Sequence, residues 1–282
     1  MKFSLVASNR DEAGKNIAAQ LINLYGFKEN GRYRQNKKFL LEFANNEFEL
    51  IFIDDETIYA DYVDELSSDA IIFLSKHESK SEKPSLTVHS TGNWCKEAAF
   101  GGKAREISLA SALINISLLR ELAKQKEKAE LSYEVVAEVT HHGPLIKSKP
   151  SCFIELGSSI KEWQDSKAAQ TIATTVIEAL SKKQERIRAA VGIGGLHYAS
   201  EFSKLMLRAN IGFAHICPKY ALYCFDAEML SKAIEMTAEK VNFIVVDEKG
   251  LATEKQRIMD LLGESKIKIE GVRKLLKKHQ SE

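Results

Sequence analysis

The groups in this chain best suited to chemistry are its seven histidines and a few carboxylates set among apolar residues. The run Glu138-Val139-Thr140-His141-His142-Gly143-Pro144-Leu145 holds two adjacent imidazoles where an alternating segment, 132–140, meets a Gly-Pro stop. Imidazole serves both as a metal ligand and as a proton carrier near neutral pH. Neighbours in a regular strand point to opposite faces, so both rings can reach one ion only if Gly143 and Pro144 break the strand. Even spacing puts Glu138 on the same face as His142, and those two share a site more readily than the adjacent rings do. A solvent-facing carboxylate on a half-exposed strand is the other reading of Glu138.

In open α/β sheets ligands gather beyond the carboxyl ends of strands. His89, His141, His142, His197 and His215 all fall at expected strand ends, whereas His77 and His279 read as peripheral. Glu155 lies within Cys152-Phe153-Ile154-Glu155-Leu156-Gly157, where an unpaired carboxylate is costly to bury. Either a basic partner or strand-end exposure relieves it, or it is a metal ligand or a general base of raised pKa. Zinc takes three or four such ligands and brings the pKa of a coordinated water to about 7. The chain has enough His and Glu for that, although it has no HExxH helix and no compact Cys/His cluster.

Elements that position these residues alternate along the chain. Strands are expected at 3–7, 48–53, 70–74, 86–89, 132–140, 152–156, 188–193, 211–216 and 241–246. Helices are expected at 11–24, 103–126, 198–207 and 226–240, with two more closing the chain. A further helix follows a cap at Ser158 or Ser159 and buries Ile172, Ala173, Val176, Ile177 and Leu180. Segments 28–38 and 77–85 read as excursions from the core. The alternation predicts one α/β domain over 1–282, with a three-layer α/β/α arrangement around a mixed sheet.

Composition bounds the partners. With 282 residues, 44% apolar, 28% charged and a net charge of +1, the chain is no uniformly basic coat for nucleic acid. A polyanion must be met by a local patch. Lys147 and Lys149 after the His-His turn, with Lys161 at the start of the next helix, are one candidate, and Arg273, Lys274, Lys277 and Lys278 another, although such runs are commonly solvated helix faces. No apolar run is long enough to span a bilayer, and the amino terminus reads as a strand. Cys95, Cys152, Cys217 and Cys224 show no disulfide-framework spacing, which makes a reduced, cytoplasmic setting the expectation. Nucleotide motifs fail. Gly101-Gly102-Lys103 is followed by Ala104 in place of the hydroxyl residue that holds magnesium, and Gly192-Ile193-Gly194 has His197 at its third glycine position.

Several ordered blocks resemble the D-aminoacyl-tRNA deacylases of the archaeal and plant type. They are Ser8 to Ile17, His89-Ser90-Thr91-Gly92-Asn93-Trp94, Glu138 to Pro144, Glu155-Leu156-Gly157-Ser158-Ser159, Gly192 to Ala199, and His215-Ile216-Cys217-Pro218-Lys219-Tyr220. The resemblance implies hydrolysis of the ester between a D-amino acid and tRNA, with zinc as cofactor. It also implies a phosphorylase/hydrolase-like fold akin to peptidyl-tRNA hydrolases and zinc carboxypeptidases. Zinc would then be ligated by some of His141, His142, His197, His215 and Glu155, with Glu138, Glu155 or His89 in proton transfer. D-aminoacyl-tRNA is the expected partner, with no membrane and no obligate protein partner. A zinc peptidase or amidohydrolase on the same fold, and a non-catalytic tRNA- or nucleotide-binding protein, are the alternatives.

Overall fold

The computed structural model describes residues 1–80, 82–183 and 185–279. The larger of its two sheets has eight strands: β1 (Lys2–Ser8), β2 (Lys28–Tyr33), β3 (Asn36–Phe43), β4 (Asn46–Ile53), β5 (Ala70–Glu78), β6 (Ser85–His89), β7 (Glu134–Ala137) and β8 (Ser151–Ser158). Their order is β2-β3-β4-β1-β5-β8-β6-β7. Strands β4, β1, β5 and β8 are mutually parallel, while β6 runs antiparallel to β8 and takes β7 with it. The smaller sheet is wholly parallel, ordered β10-β9-β11-β12, from β9 (Arg188–Gly195), β10 (Ile211–Pro218), β11 (Val241–Val246) and β12 (Ile269–Gly271).

Helices α1 (Glu12–Tyr25), α2 (Ala112–Lys128), α3 (Ile160–Trp163) and α4 (Ser166–Ser181) precede α5 (Ser200–Arg208), α6 (Ala227–Glu235), α7 (Lys255–Glu264) and α8 (Val272–Lys278). One face of the large sheet, carrying Leu5, Leu74, Leu86, Val88, Ile154 and Leu156, packs on α1, α2 and α4. Its other face, carrying Val6, Ile51, Phe73 and Phe153, is met by Ala60, Val63 and Leu66 of two short 3-10 turns and by Ile146. The expected layer of helices on both faces is therefore found around the small sheet only. There α5 and α8 cover one face and α6 and α7 the other. This half-covered large sheet matters, because a face without helices can be lined with polar side chains.

Most expected elements are present with shifted ends. The helix expected at 103–126 begins at Ala112, where Ser111 caps it by accepting from the Ile114 N–H. Before that, Ser108 holds Thr91, Pro144 and Ile146 instead of continuing a helix. Ser159 caps the single turn α3, and Asp165 caps the longer α4. The polar segment 28–38 is an exposed edge hairpin rather than an excursion, its charges suiting an unpaired sheet edge. Contrary to the reduced cysteines expected from the sequence, Cys95 and Cys224 form a disulfide across 129 residues, a pairing that no local spacing announces. Cys152 and Cys217 are free and buried. Among the described residues no helix is long and apolar enough to cross a membrane.

Candidate active site

Strand register assembles the site on the helix-free face of the large sheet. Glu155 of β8 lies between Ser75 of β5 and Thr87 of β6. One pleat toward the end of β5 brings in His77, opposite Gly157, and one pleat the other way brings in His89, opposite Phe153. Beyond β7 the chain continues through Glu138, whose N–H bonds Val88, to a bridge with Tyr198 just after β9. The segment 138–142 thus joins the face of one sheet to the carboxyl end of the other, where His197 waits.

The carboxylates are buried among imidazoles. His77 Nδ1 lies 3.0 Å from Glu138 Oε1 and 3.3 Å from Glu155 Oε2. Glu155 Oε2 also accepts from the Thr87 hydroxyl, and its Oε1 is 3.6 Å from His89 Nε2. Glu138 Oε2 is 3.0 Å from His197 Nε2 and 3.7 Å from His141 Nε2. Both Glu138 oxygens sit at ion-pair distance without the angles of formed hydrogen bonds. Tyr198 fixes the far side of His77, its hydroxyl 2.9 Å from Nε2.

Burial alone would strip these groups of charge, and their neighbours decide otherwise. For His77, desolvation is outweighed by Glu138 and Glu155, which raise its pKa to about 11. Desolvation of Glu155 is likewise outweighed, by His77 and His89, and its pKa falls to about 2. Glu138 is held well below the usual carboxylate range because His197 and His77 overcome its burial. His142 is driven down to about 4 by burial and by His89, and His141 well down by burial and by His142 and His89. At neutral pH the centre therefore holds ionised carboxylates, a charged His77 and neutral His141 and His142, while the burial of His89 is outweighed by Glu155 and Glu138, which raise its pKa.

Three rings share one arrangement. His89 Nδ1 donates to the Ser90 carbonyl, His141 Nδ1 to Val139 and His142 Nδ1 to Gly143. Each keeps its Nε2 off the backbone, and His89 Nε2 is buried without a hydrogen bond, 3.6 Å from Glu155 Oε1. Backbone carbonyls that fix the tautomer in this way are the usual outer support of metal-ligating histidines. His89, His141 and His142 place ligand atoms within 4.8 Å of one another, as do His77, Glu138 and His197, and His89, Glu138 and Glu155. Both adjacent rings converge because β7 has already ended at Ala137 and the backbone turns at His142, whose φ is 43°. Gly143 permits the turn: a Cβ there would lie 2.3 Å from the Gly102 nitrogen.

Six of the sequence-derived site residues are thus brought together: Glu138, Glu155, His89, His141, His142 and His197. His77, read as peripheral, is at the centre. The polar run Ser75-Lys76-His77-Glu78 hid the continuation of β5, yet its alternating burial of Ser75 and His77 is the strand period itself. Glu138 engages His77 and His197, not His142 as even spacing suggested. His215 is apart from these groups of ligand atoms. It is fully buried on β10, with Nε2 donating to the Met236 carbonyl and Nδ1 facing the Thr140 hydroxyl.

That isolation gives His215 a thermodynamic signature. Burial lowers its pKa from 6.5 to about 4, so between these values the unfolded chain binds the extra proton. The contribution of the neutral ring is complete above pH 6.5 and is lost as pH falls toward 4, on the order of 3 kcal/mol in total. Denaturant melts of wild type and His215→Gln at pH 7 and 4.5 should show a smaller acid loss in the variant. Equal losses would remove His215 as a source of acid sensitivity.

The basic residues read from the sequence lie elsewhere. Lys147 pairs with Glu106 at 2.7 Å, and Lys149, its side chain 11% exposed, is tied to Asp64. Lys161 is on α3. Arg273, Lys274, Lys277 and Lys278 are on α8, which packs against α5, and Lys274 is 3.7 Å from Glu270. None of them lines either cavity beside the centre. The larger cavity, about 440 Å³, is floored by His141, His142 and His197 and walled by Trp94, Phe100, Tyr220 and Tyr223. A smaller one of about 90 Å³ reaches Glu155 and His142 from Ser8, Arg10 and Asp11.

A mixed α/β fold carries a buried Glu/His centre, with groups suited to proton transfer, that opens into an aromatic-walled cleft. The D-aminoacyl-tRNA deacylase family model matches residues 64–270, and the chain belongs to this family of hydrolases. Named relatives agree. The D-aminoacyl-tRNA deacylase of Thermococcus onnurineus is 36% identical over 269 residues, 92% of this chain and 96% of that protein. That of Thermococcus kodakarensis is 37% identical over 263 residues, 90% and 93% of the two chains, and that of Methanosarcina barkeri 34% over 287 residues, 96% and 91%. A crystal structure of a conserved protein of unknown function superposes with a TM-score of 0.87 at 30% identity, covering 98% of this chain and 97% of that one.

Proposed function

We propose that this chain hydrolyses the ester of D-aminoacyl-tRNA, releasing the D-amino acid and free tRNA as a quality-control step of translation in the cytoplasm. The observation that carries the reading, beside family membership, is His197. It is half exposed and lines the cleft, with Nε2 against the buried Glu138 carboxylate. A carboxylate behind an imidazole fixes the ring and stabilises the imidazolium formed during proton transfer. Water adds to the ester carbonyl, the bond from that carbon to the ribose oxygen breaks, and His197 carries the proton from water to the departing ribose oxygen.

The residues present also fit zinc, because three histidines with carbonyl-fixed tautomers, two of them held neutral by burial, turn their Nε2 atoms toward one region. Held by His89, His141 and His142, zinc would polarise the carbonyl and acidify water. Glu155 then balances the local charge through His77 and His89. The phosphorylase/hydrolase-like assignment of this mixed α/β fold is part of the same proposal. D-tyrosyl-tRNA and L-tyrosyl-tRNA, labelled in the amino acid, test the reading. The D-form should be cleaved and the L-form largely spared. Equal rates would remove the proofreading role, and cleavage of small peptides instead would move the assignment to a peptidase.

A further inference from the structure

We infer that the larger cavity is the seat of the tRNA's terminal nucleoside, with Phe100, Tyr220 and Tyr223 as its stacking surface. The inference rests on the deacylase reading and adds where the leaving group sits. In that reaction the departing oxygen belongs to the ribose of the terminal nucleoside, so its base must lie one sugar ring from the reacting carbonyl. Among the cavities described, the 440 Å³ one offers that distance, because its floor is His141, His142 and His197. Its size falls within the range of small-molecule sites, roughly 300 to 1,000 Å³. The 90 Å³ cavity on the other side of His142 is too small for a base and sugar.

The aromatic rings are held out on fixed backbone. Phe100 is 68% exposed, yet its carbonyl accepts from the Gly143 N–H. The next residue, Gly101, has φ 82°, and a Cβ there would lie 1.8 Å from the Ile58 carbonyl oxygen, so only glycine lets the loop seat this closely. Tyr220 and Tyr223 sit three apart on the 3-10 turn Lys219–Cys224, where that spacing puts side chains on one face. They are 58% and 68% exposed, while Ala221 and Leu222 between them are buried and Arg257 binds the carbonyls of Leu222 and Phe225. The Cys95–Cys224 disulfide fastens the two walls together. Large rings that stay exposed on anchored backbone serve a partner rather than the core, and nucleobases stack on such rings whatever their identity.

The rim charge suits a nucleotide strand more than a lone amino acid. Exposed Lys96 lies between the lining residues Cys95 and Glu97, and exposed Lys219 precedes Tyr220, both available to the phosphates that follow the last nucleoside. Glu97 in the lining is an acceptor for an exocyclic base amine.

Binding of the trinucleotide CpCpA to the intact protein tests this by calorimetry, without turnover. Phe100→Ala and Tyr223→Ala should each weaken binding roughly 10-fold, and Phe100→Trp should retain it. The same alanine variants should raise KM for D-tyrosyl-tRNA with little change in kcat. Their affinity for free D-tyrosine should match wild type. No CpCpA binding by wild type, or unchanged affinity in both alanine variants, overturns the assignment. So does weakened D-tyrosine binding with CpCpA unaffected, which would make the cavity the amino-acid pocket. A protein that binds CpCpA as described but cleaves no D-aminoacyl-tRNA would fail the deacylase reading and keep the nucleoside site.

Discussion

Glu138→Gln is expected to lower kcat on D-tyrosyl-tRNA by roughly a thousandfold while KM stays near wild type. The substitution keeps size and shape and removes one buried charge. Two imidazoles lean on that charge, His77 at 3.0 Å and His197 at 3.0 Å. His197 loses the carboxylate that orients its ring, and an amide can turn its N–H₂ toward Nε2 and invert the ring's tautomer. Substrate contacts lie in the cleft beyond His197, so binding is spared. His77, with Glu155 still 3.3 Å away, keeps one carboxylate partner. Thermal melts of the variant separate lost chemistry from lost fold, and Glu138→Asp should recover part of the rate. A variant that is folded and turns over within a few-fold of wild type would deny His197 its proposed role.

Much of this site was legible in the sequence because the chemistry is concentrated in short runs. Glu155 stood out as a carboxylate in an apolar strand, and the structure supplies the reason it is tolerated there, with His77 and His89 on either side. His89 and the His141-His142 pair were found by their place at the ends of elements. The rule behind that placement held only in part. His197 does lie beyond the carboxyl end of a parallel strand, but His77, His89 and Glu155 share a sheet face across β5, β6 and β8. They meet because β6 runs antiparallel to β8, a pairing direction that no local pattern encodes.

The residues missed or misplaced have the same origin. His77 was discounted because β5 was read as stopping at Leu74, where continuous hydrophobicity ends, although the strand runs on to Glu78. His215 was grouped with the others by position along its strand, yet it faces Thr140 and Met236. The disulfide and the Phe100, Tyr220 and Tyr223 wall join segments more than a hundred residues apart, so only tertiary structure reveals them. Lys147 and Lys149 adjoin the right turn in sequence, but Glu106 and Asp64 already hold them. Charge near a motif in sequence says little about whether that charge is free.

His141→Ala and His142→Ala are each expected to abolish turnover and to weaken zinc binding by roughly 100-fold or more, since even outer-shell losses reach that figure. The two rings are adjacent in sequence, yet both converge with His89, with centroids 4.3 and 4.9 Å from its ring. Burial keeps His141 and His142 neutral, which a cationic ligand requires and a lone buried imidazolium would oppose. The readout is zinc per chain by mass spectrometry after dialysis against a weak chelator, measured beside activity. Wild type should retain zinc, and each variant should lose it. His215→Gln, which alters an equally buried imidazole outside the cluster, should keep wild-type zinc content and so controls for general disruption. If both alanine variants retain zinc fully, His141 and His142 are not its ligands, and the group His77, Glu138 and His197 becomes the place to look. If wild type holds no zinc after exposure to it and still turns over, the metal part of the mechanism fails, and the Glu138–His197 pair must activate water unaided.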